Sequence, residues 1–173
     1  MKKLLLTLMM AVTMVFGASA AETIIKATQL TTVPGTTNVD GYSFDIQKNN
    51  GSTAPTVHAT TGALRLYAKN TIKISGTNLT KIVFTLNSSG EARYTDFTPS
   101  VGKINPVQAT GDTQIVWEGD ATEVTFTIAD KAVYGPDNTK AGQIHIDQFT
   151  ITGEAGSVPV SYTHLRAHET RGN

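Results

Sequence analysis

Val124-Thr125-Phe126-Thr127-Ile128 alternates large apolar side chains with threonine. Because successive side chains of a β-strand point to opposite faces of a sheet, this order buries one face and leaves the other in water. The same period of two recurs in Tyr42-Ser43-Phe44-Asp45-Ile46-Gln47, in residues 63–68, in Ile72-Lys73-Ile74 and in Ile82-Val83-Phe84-Thr85-Leu86. After residue 20, no stretch repeats its apolar residues at the three- and four-residue spacing of a helix, so we predict very little helix there.

Turn-forming residues separate the alternating stretches. Glycine supplies positive φ, proline presets φ, and Asn or Asp hydrogen-bonds its own backbone, so clusters of these residues reverse the chain. The clusters are Val33-Pro34-Gly35, Asn49-Asn50-Gly51, Ser75-Gly76, Ser88-Ser89-Gly90, Gly111-Asp112, Gly119-Asp120 and Gly135-Pro136-Asp137-Asn138. Short strands separated in this way predict an all-β fold, an antiparallel two-sheet β-sandwich.

The last strand of the pattern contains an irregularity. Ile144 and Ile146 share one face, whereas Phe149 and Ile151 are out of phase with them by one residue. A β-bulge at Asp147-Gln148 would supply the extra residue that restores the phase. A strand covered on both faces is the alternative.

Aromatic residues in phase with aliphatic ones are interpreted as core. Trp117 shares its phase with Ile115, and Tyr42 shares its phase with Phe44. A ligand platform is the alternative for Trp117, because an indole face suits the apolar side of a sugar ring.

The N-terminus has the pattern of a secretory signal peptide. Lys2 and Lys3 precede an apolar stretch, residues 4–16, and Ala18-Ser19-Ala20 is a small-residue cleavage site. We predict that residues 1–20 are removed and that the protein is exported to the periplasm, the cell surface or the medium. An uncleaved anchor is the alternative.

The C-terminus divides into a linker and a foreign tail. Residues 21–153 form the predicted β-sandwich domain, and the Gly-, Ser- and Pro-containing residues 154–159 have the composition of a linker. Residues 160–170 match one reading frame of a sequencing adapter, so 160–173 is interpreted as a non-native tail. The chain is therefore expected to be truncated near Pro159, with a missing C-terminal region as its partner, and the histidines of the tail, His164 and His168, are not predicted to bind a metal.

The composition excludes several classes of function. The chain has 173 residues, 39% of them hydrophobic and 16% charged, with a formal net charge of zero and no cysteine. Disulfides, zinc–thiolate sites and thiol nucleophiles are therefore excluded. Without a surplus of Lys and Arg we predict no nucleic-acid binding. No membrane attachment is predicted after signal cleavage.

Catalytic and cofactor motifs are missing from the sequence. It contains no phosphate-binding loop, no H-E-x-x-H and no G-x-S-x-G, and its carboxylates are scattered singly, so we predict that it is not an enzyme. No cofactor is predicted. A structural Ca²⁺ on the loop oxygens of Asp120, Asp130, Asp137 and Asn138 is the alternative, although no contiguous calcium loop exists. His58 and His145 each stand alone and are interpreted as surface or boundary residues.

Arg65, Tyr67, Tyr94 and Tyr134 are the candidate ligand-binding residues. Arg65 and Tyr67 point away from the face expected to be buried, where a ring beside a guanidinium can stack and hydrogen-bond. Tyr94 and Tyr134 lie near predicted loops. An ordinary cross-strand pair is the alternative for Arg65 and Tyr67.

Several motifs together resemble a recurrent module of exported Bacteroidetes proteins. They are Ala63-Leu64-Arg65-Leu66-Tyr67-Ala68-Lys69-Asn70, Thr71-Ile72-Lys73-Ile74-Ser75, Leu79-Thr80-Lys81-Ile82-Val83-Phe84-Thr85, Val116-Trp117-Glu118-Gly119, Val124-Thr125-Phe126-Thr127 and Gln143-Ile144-His145-Ile146. The resemblance implies a jelly-roll-like β-sandwich beside catalytic, repeat or anchoring regions. We therefore predict a non-catalytic accessory module with a glycan as its ligand. A structural or adhesive spacer that positions a C-terminal domain is the alternative, and a fragment of a hydrolase is a third reading.

Overall fold

The computed structural model describes residues 21–154. The predicted signal peptide, the linker after Glu154 and the tail from residue 160 lie outside the described residues. Glu154 itself, the first residue of the predicted linker, still belongs to the last strand.

Antiparallel strands make up most of this part of the chain, and helix is limited to two short 3₁₀ segments, Ala27–Gln29 and Ser88–Arg93. The strands are β1 (Glu22–Lys26), β2 (Gly35–Val39), β3 (Tyr42–Gln47), β4 (Thr56–Val57), β5 (Leu64–Tyr67), β6 (Thr71–Leu86), β7 (Phe97–Pro99), β8 (Lys103–Ile104), β9 (Gln114–Ile128) and β10 (Gln143–Glu154). The predicted all-β antiparallel class with little helix is confirmed.

The strands form one continuous hydrogen-bonded sheet that curls into an open half-barrel. Its order is β2-β3-β6-β10-β5-β4, while β1 pairs with β10, and β9 pairs with β6, β7 and β8. The two long strands, β6 and β9, run side by side and connect both halves of the sheet. The core lies inside the curl, where the alternating apolar residues of the strands meet.

Two of the predicted turns, Ser75-Gly76 and Gly119-Asp120, are wrong. Both dipeptides lie inside long strands, β6 and β9, at two neighbouring places where the register between these strands shifts. The two glycines do not reverse the chain. They allow an aromatic ring to pack directly against the backbone of the strand. A Cβ on Gly76 would come within 2.9 Å of the Tyr42 ring, and one on Gly119 within 2.3 Å of the Trp117 ring.

The predicted β-bulge is confirmed. Ile146 is opposite Leu86, and Gln148 is opposite Thr85, so Asp147 is the one extra residue on β10. As a result Ile144, Ile146, Phe149 and Ile151 are all fully buried. The alternative also holds locally, because residues 143–146 are buried on both faces of the sheet.

The predicted core residues Trp117 and Tyr42 are buried, with 0% and 1% of their surface exposed. The Trp117 indole N–H donates to the Val101 carbonyl at 2.7 Å, which satisfies its one polar atom. The indole is therefore not available as a ligand platform.

Within residues 21–154, the structure has no helix long and apolar enough to span a membrane.

Candidate functional site

A groove lined by Tyr94 and Tyr134, here called the tyrosine groove, brings two of the predicted site residues together. Its cavity has a volume of about 370 Å³. Three segments form its walls: the 3₁₀ segment Ser88–Arg93, the loop at Thr110 and Gly111, and the loop at Tyr134 to Pro136. A smaller cavity next to it is lined by Asp112 and again by Tyr94.

The 3₁₀ segment is held by its own sequence and by the strand beneath it. The Asn87 side chain accepts a hydrogen bond from the Ser89 N–H at 2.9 Å and so caps the segment. Gly90 packs directly on the His145 ring, and a Cβ at that position would come within 2.5 Å of it. The segment therefore lies against β10 and presents Ser88, Ser89 and Glu91 to the groove.

The two loops are hydrogen-bonded to the end of this segment and to the residues that follow it. The amides of Tyr134 and Asp137 donate to the carbonyls of Tyr94 and Ala92, both at 2.9 Å. The Gln108 side chain accepts from the Phe97 amide at 2.9 Å and donates to the Thr95 carbonyl at 3.0 Å. All three walls are thus fixed to one stretch of backbone, residues 92–97.

Both groove tyrosines use their hydroxyls inside the protein. Tyr94 is only 6% exposed and donates to the Asn87 carbonyl, while Tyr134 is half-buried and donates to Asp96 at 2.9 Å. Burial and the nearby charge of Glu91 raise the pKa of Tyr94 far above its usual value. Burial and the hydrogen bond to Asp96 raise the pKa of Tyr134 to about 12. Both rings are therefore neutral and held in place.

The charged residues that line the groove and the adjoining cavity are acidic. Glu91 is exposed at the groove wall, and Asp112 is half-buried beside it. Asp112 accepts a hydrogen bond from the Ala109 amide at 2.7 Å, which holds its loop in a turn. No Lys or Arg is among the described residues that line either cavity.

Arg65 and Tyr67 lie elsewhere, on the outer face of β5. They are opposite His145 and Gln143 of β10, both are half-buried, and neither lines the tyrosine groove. The four predicted site residues therefore form two separate pairs. The expected opposite orientation of Leu64 and Leu66, which are fully buried, is confirmed.

His145 departs from the expectation of a surface or boundary position. It is 3% exposed, because the 3₁₀ segment covers the outer face of β10 that would otherwise meet water. Its Nδ1 and the Ser89 Oγ are hydrogen-bonded at 3.0 Å, whereas its Nε2 and the Arg65 Nε have no partner within the described protein. Burial, and then the charge of Arg65, lower the pKa of His145 to about 4.

The Ser89–His145 pair has the residue types of a nucleophile and its base. A neutral imidazole with such a low pKa is a weak base, and the proton it would accept would be placed beside Arg65 in a buried site. The pair therefore acts as a structural contact that anchors the wall of the groove. Nothing in the sequence indicated it, because Ser89 and His145 lie far apart along the chain and meet only through the sheet.

Burial of His145 predicts a pH dependence of stability. The pKa of its ring is 6.5 in the unfolded chain and about 4 in the folded one, so only the unfolded chain is protonated between these values. The free energy of unfolding should therefore decrease as the pH falls through this window, by on the order of 3 kcal/mol, with no further loss from this group below it. Urea unfolding at a series of pH values measures the effect.

His145→Gln is the control, since a glutamine still hydrogen-bonds Ser89 but does not titrate. Its stability profile should be flatter than that of the wild type between about pH 6.5 and pH 4. Parallel profiles for the two proteins would contradict the prediction.

The described residues contain no cluster of three or more His, Asp or Glu side chains that could hold a metal ion. The loop carboxylates Asp120, Asp130 and Asp137, considered for calcium, are not brought together. Asp130 instead pairs with Lys69 at 3.2 Å.

No protein-family model matches this chain, and no curated protein matches it.

Proposed function

We propose that the protein is an exported, non-catalytic accessory module that binds carbohydrate in the tyrosine groove. The observation that carries the proposal is the convergence of Tyr94 and Tyr134, from separate parts of the sequence, on one cavity of about 370 Å³. Small-molecule sites have volumes of about 300–1,000 Å³. A cavity near the lower end of that range suits one or two sugar rings.

The lining of the groove supports this choice of ligand. The half-buried, neutral Tyr134 ring offers an apolar face to the C–H side of a sugar ring, while the buried Tyr94 ring forms part of the groove wall. The hydroxyls of Ser88 and Thr110 and the carboxylate of Glu91 are the kind of groups that hydrogen-bond sugar hydroxyls. The weak basicity of His145 supports a role without catalysis.

The finer fold assignment is part of the proposal. We infer that the curled sheet is a jelly-roll-like β-sandwich. This is the fold implied by the resemblance of the chain to modules of exported Bacteroidetes proteins. In support, β6 and β9 shift register at the same place, and the rings of Phe44 on β3 and Phe149 on β10 pack at 5.1 Å across the core. Packing of this kind between the two halves of a bent sheet is typical of a sandwich interior.

Tyr134→Ala tests the site. We expect the full chain to bind on a glycan array and the variant to lose at least about tenfold in affinity, because a stacked aromatic ring contributes about 0.5–1.5 kcal/mol beyond its buried area. Tyr67→Ala removes the same ring from the other predicted pair, on the sheet face outside the groove. Loss of binding in Tyr67→Ala but not in Tyr134→Ala would place the site on that face and overturn the choice of the groove.

A structural or adhesive spacer is the second candidate, and the outer surface of the sheet favours it. The outward positions of β6 and β9 hold Thr71, Lys73, Ser75, Thr125 and Thr127. The exposed large hydrophobic residues of the described chain are aliphatic, so no row of exposed rings follows a sheet face. Failure of the parent protein to bind any glycan would favour the spacer.

A further inference from the structure

We infer that the tyrosine groove selects sugars with a free, protonated amine, such as oligomers of glucosamine, over N-acetylated and acidic sugars. This inference rests on the proposed function and names the class of ligand for the same site. It follows from the charge of the groove, from the state of its carboxylates and from the aromatic rings beside them.

The negative charge at the groove comes from several segments. Glu91 belongs to the 3₁₀ wall and Asp112 follows the loop at Thr110 and Gly111, while Asp96 hydrogen-bonds Tyr134 from behind. Their charges reach the rings: Glu91 raises the pKa of Tyr94, and Asp96 and Asp112 raise that of Tyr134. A ligand in the groove is therefore placed in a negative potential that repels uronic and sulfated sugars.

Within residues 21–154, no Lys or Arg lines the groove or the adjoining cavity. The ion pairs found there join Lys69 to Asp130 and Lys73 to Glu123 and do not involve the groove carboxylates. Glu91 is exposed, and its carboxylate has no hydrogen-bond or ion-pair partner among the described residues. It is free to accept hydrogen bonds from a ligand.

A carboxylate beside an aromatic face is a suitable environment for an ammonium group. The carboxylate accepts charge-assisted hydrogen bonds, and the ring attracts the cation through its quadrupole. An amino sugar places that ammonium on a ring whose C–H face can lie on Tyr134, while its hydroxyls meet Ser88, Ser89 and Thr110. Acetylation removes the charge and leaves only one neutral amide N–H to donate to Glu91, so the interaction becomes weaker.

Titration of the full chain with matched oligomers tests the inference. We expect glucosamine oligomers to bind at least about fivefold more tightly than N-acetylglucosamine oligomers at about pH 6, where the sugar amine is protonated, since a hydrogen bond to a charged group contributes about 1.5–3 kcal/mol before solvent screening. The preference should disappear at about pH 9, where the sugar amine is neutral.

Glu91→Gln separates charge from shape, because it keeps the size of the side chain. We expect it to lower affinity for glucosamine oligomers by about fivefold and to leave the acetylated oligomers unchanged. Tyr134→Ala should weaken both. The matched control is Asp40→Asn, which removes a carboxylate from the turn between β2 and β3, at a left-handed position that asparagine tolerates.

The outcomes distinguish this inference from the proposal on which it rests. Equal affinity for the amine and its acetylated counterpart, or tighter binding of galacturonate oligomers, overturns the inference and leaves carbohydrate binding standing. Equally tight binding of a trilysine peptide also overturns it, because the groove would then recognise cations without the sugar. Binding of none of the oligomers overturns the proposed function itself.

Discussion

Deletion of Asp147 is expected to unfold the domain. Asp147 is the extra residue of the β10 bulge, and removing it shifts one half of the strand by one position relative to the other. Either Ile144 and Ile146 or Phe149 and Ile151 would then point away from the core, although all of them are fully buried now. Exposing two such side chains costs about 3–6 kcal/mol, a large part of the about 5–15 kcal/mol that holds a typical domain together.

Urea unfolding followed by circular dichroism measures this loss. The control is Asp147→Asn, which keeps the length of the strand and an acceptor for the Asn87 side-chain amide, now 2.9 Å from the carboxylate. We expect the substitution to cost no more than about 1 kcal/mol. A deletion variant that unfolds cooperatively at the wild-type urea concentration would show that the bulge does not set the phase of β10.

Phe84→Ala is expected to destabilise the protein by about 3–5 kcal/mol, the range for removing a buried phenylalanine ring. Phe84 is fully buried and lies at the centre of the aromatic core. Its ring packs edge-on against Phe97 at 4.7 Å, Phe126 at 4.9 Å and Phe149 at 5.6 Å. These partners belong to β7, β9 and β10, so the cavity left by alanine would open where three strands meet.

The free energy of unfolding in urea measures this effect, with Thr85→Ala as the neighbouring control. Thr85 is next along β6, and its side chain is on the opposite, partly exposed face. We expect its replacement to change stability by less than about 0.5 kcal/mol. Similar losses from the two variants would mean that burial inside the curl is not the main source of stability.

Local patterns predicted β3, β5 and β10, parts of the long strands β6 and β9, and the bulge. The alternation in Val124-Thr125-Phe126-Thr127-Ile128 depends only on neighbouring residues and on the pleat, and it places Phe126 in the core. The bulge at Asp147 could be predicted because the apolar residues of β10 themselves change phase by one position between Ile146 and Phe149. Such features need no knowledge of what packs against them.

Features that depend on distant neighbours could not be predicted. Gly76 resembles a turn residue in the sequence, yet its purpose is to let β6 pass close to Tyr42. His145 resembles an isolated strand histidine, and only the 3₁₀ segment that covers it explains its burial. The tyrosine groove has the same origin, because Tyr94 and Tyr134 meet through loops whose approach no local pattern records.

The pairing of β1 with β10 decides how the domain would respond to a pulling force. Glu22 is opposite Thr152, so both ends of the described chain leave the sheet on the same side. Tension applied between these two ends would separate β1 from β10 from that side. The hydrogen bonds between the two strands would then break one pair at a time and would not share the load. Such an arrangement yields at low force, which suits a module that holds a small ligand better than one that bears a mechanical load.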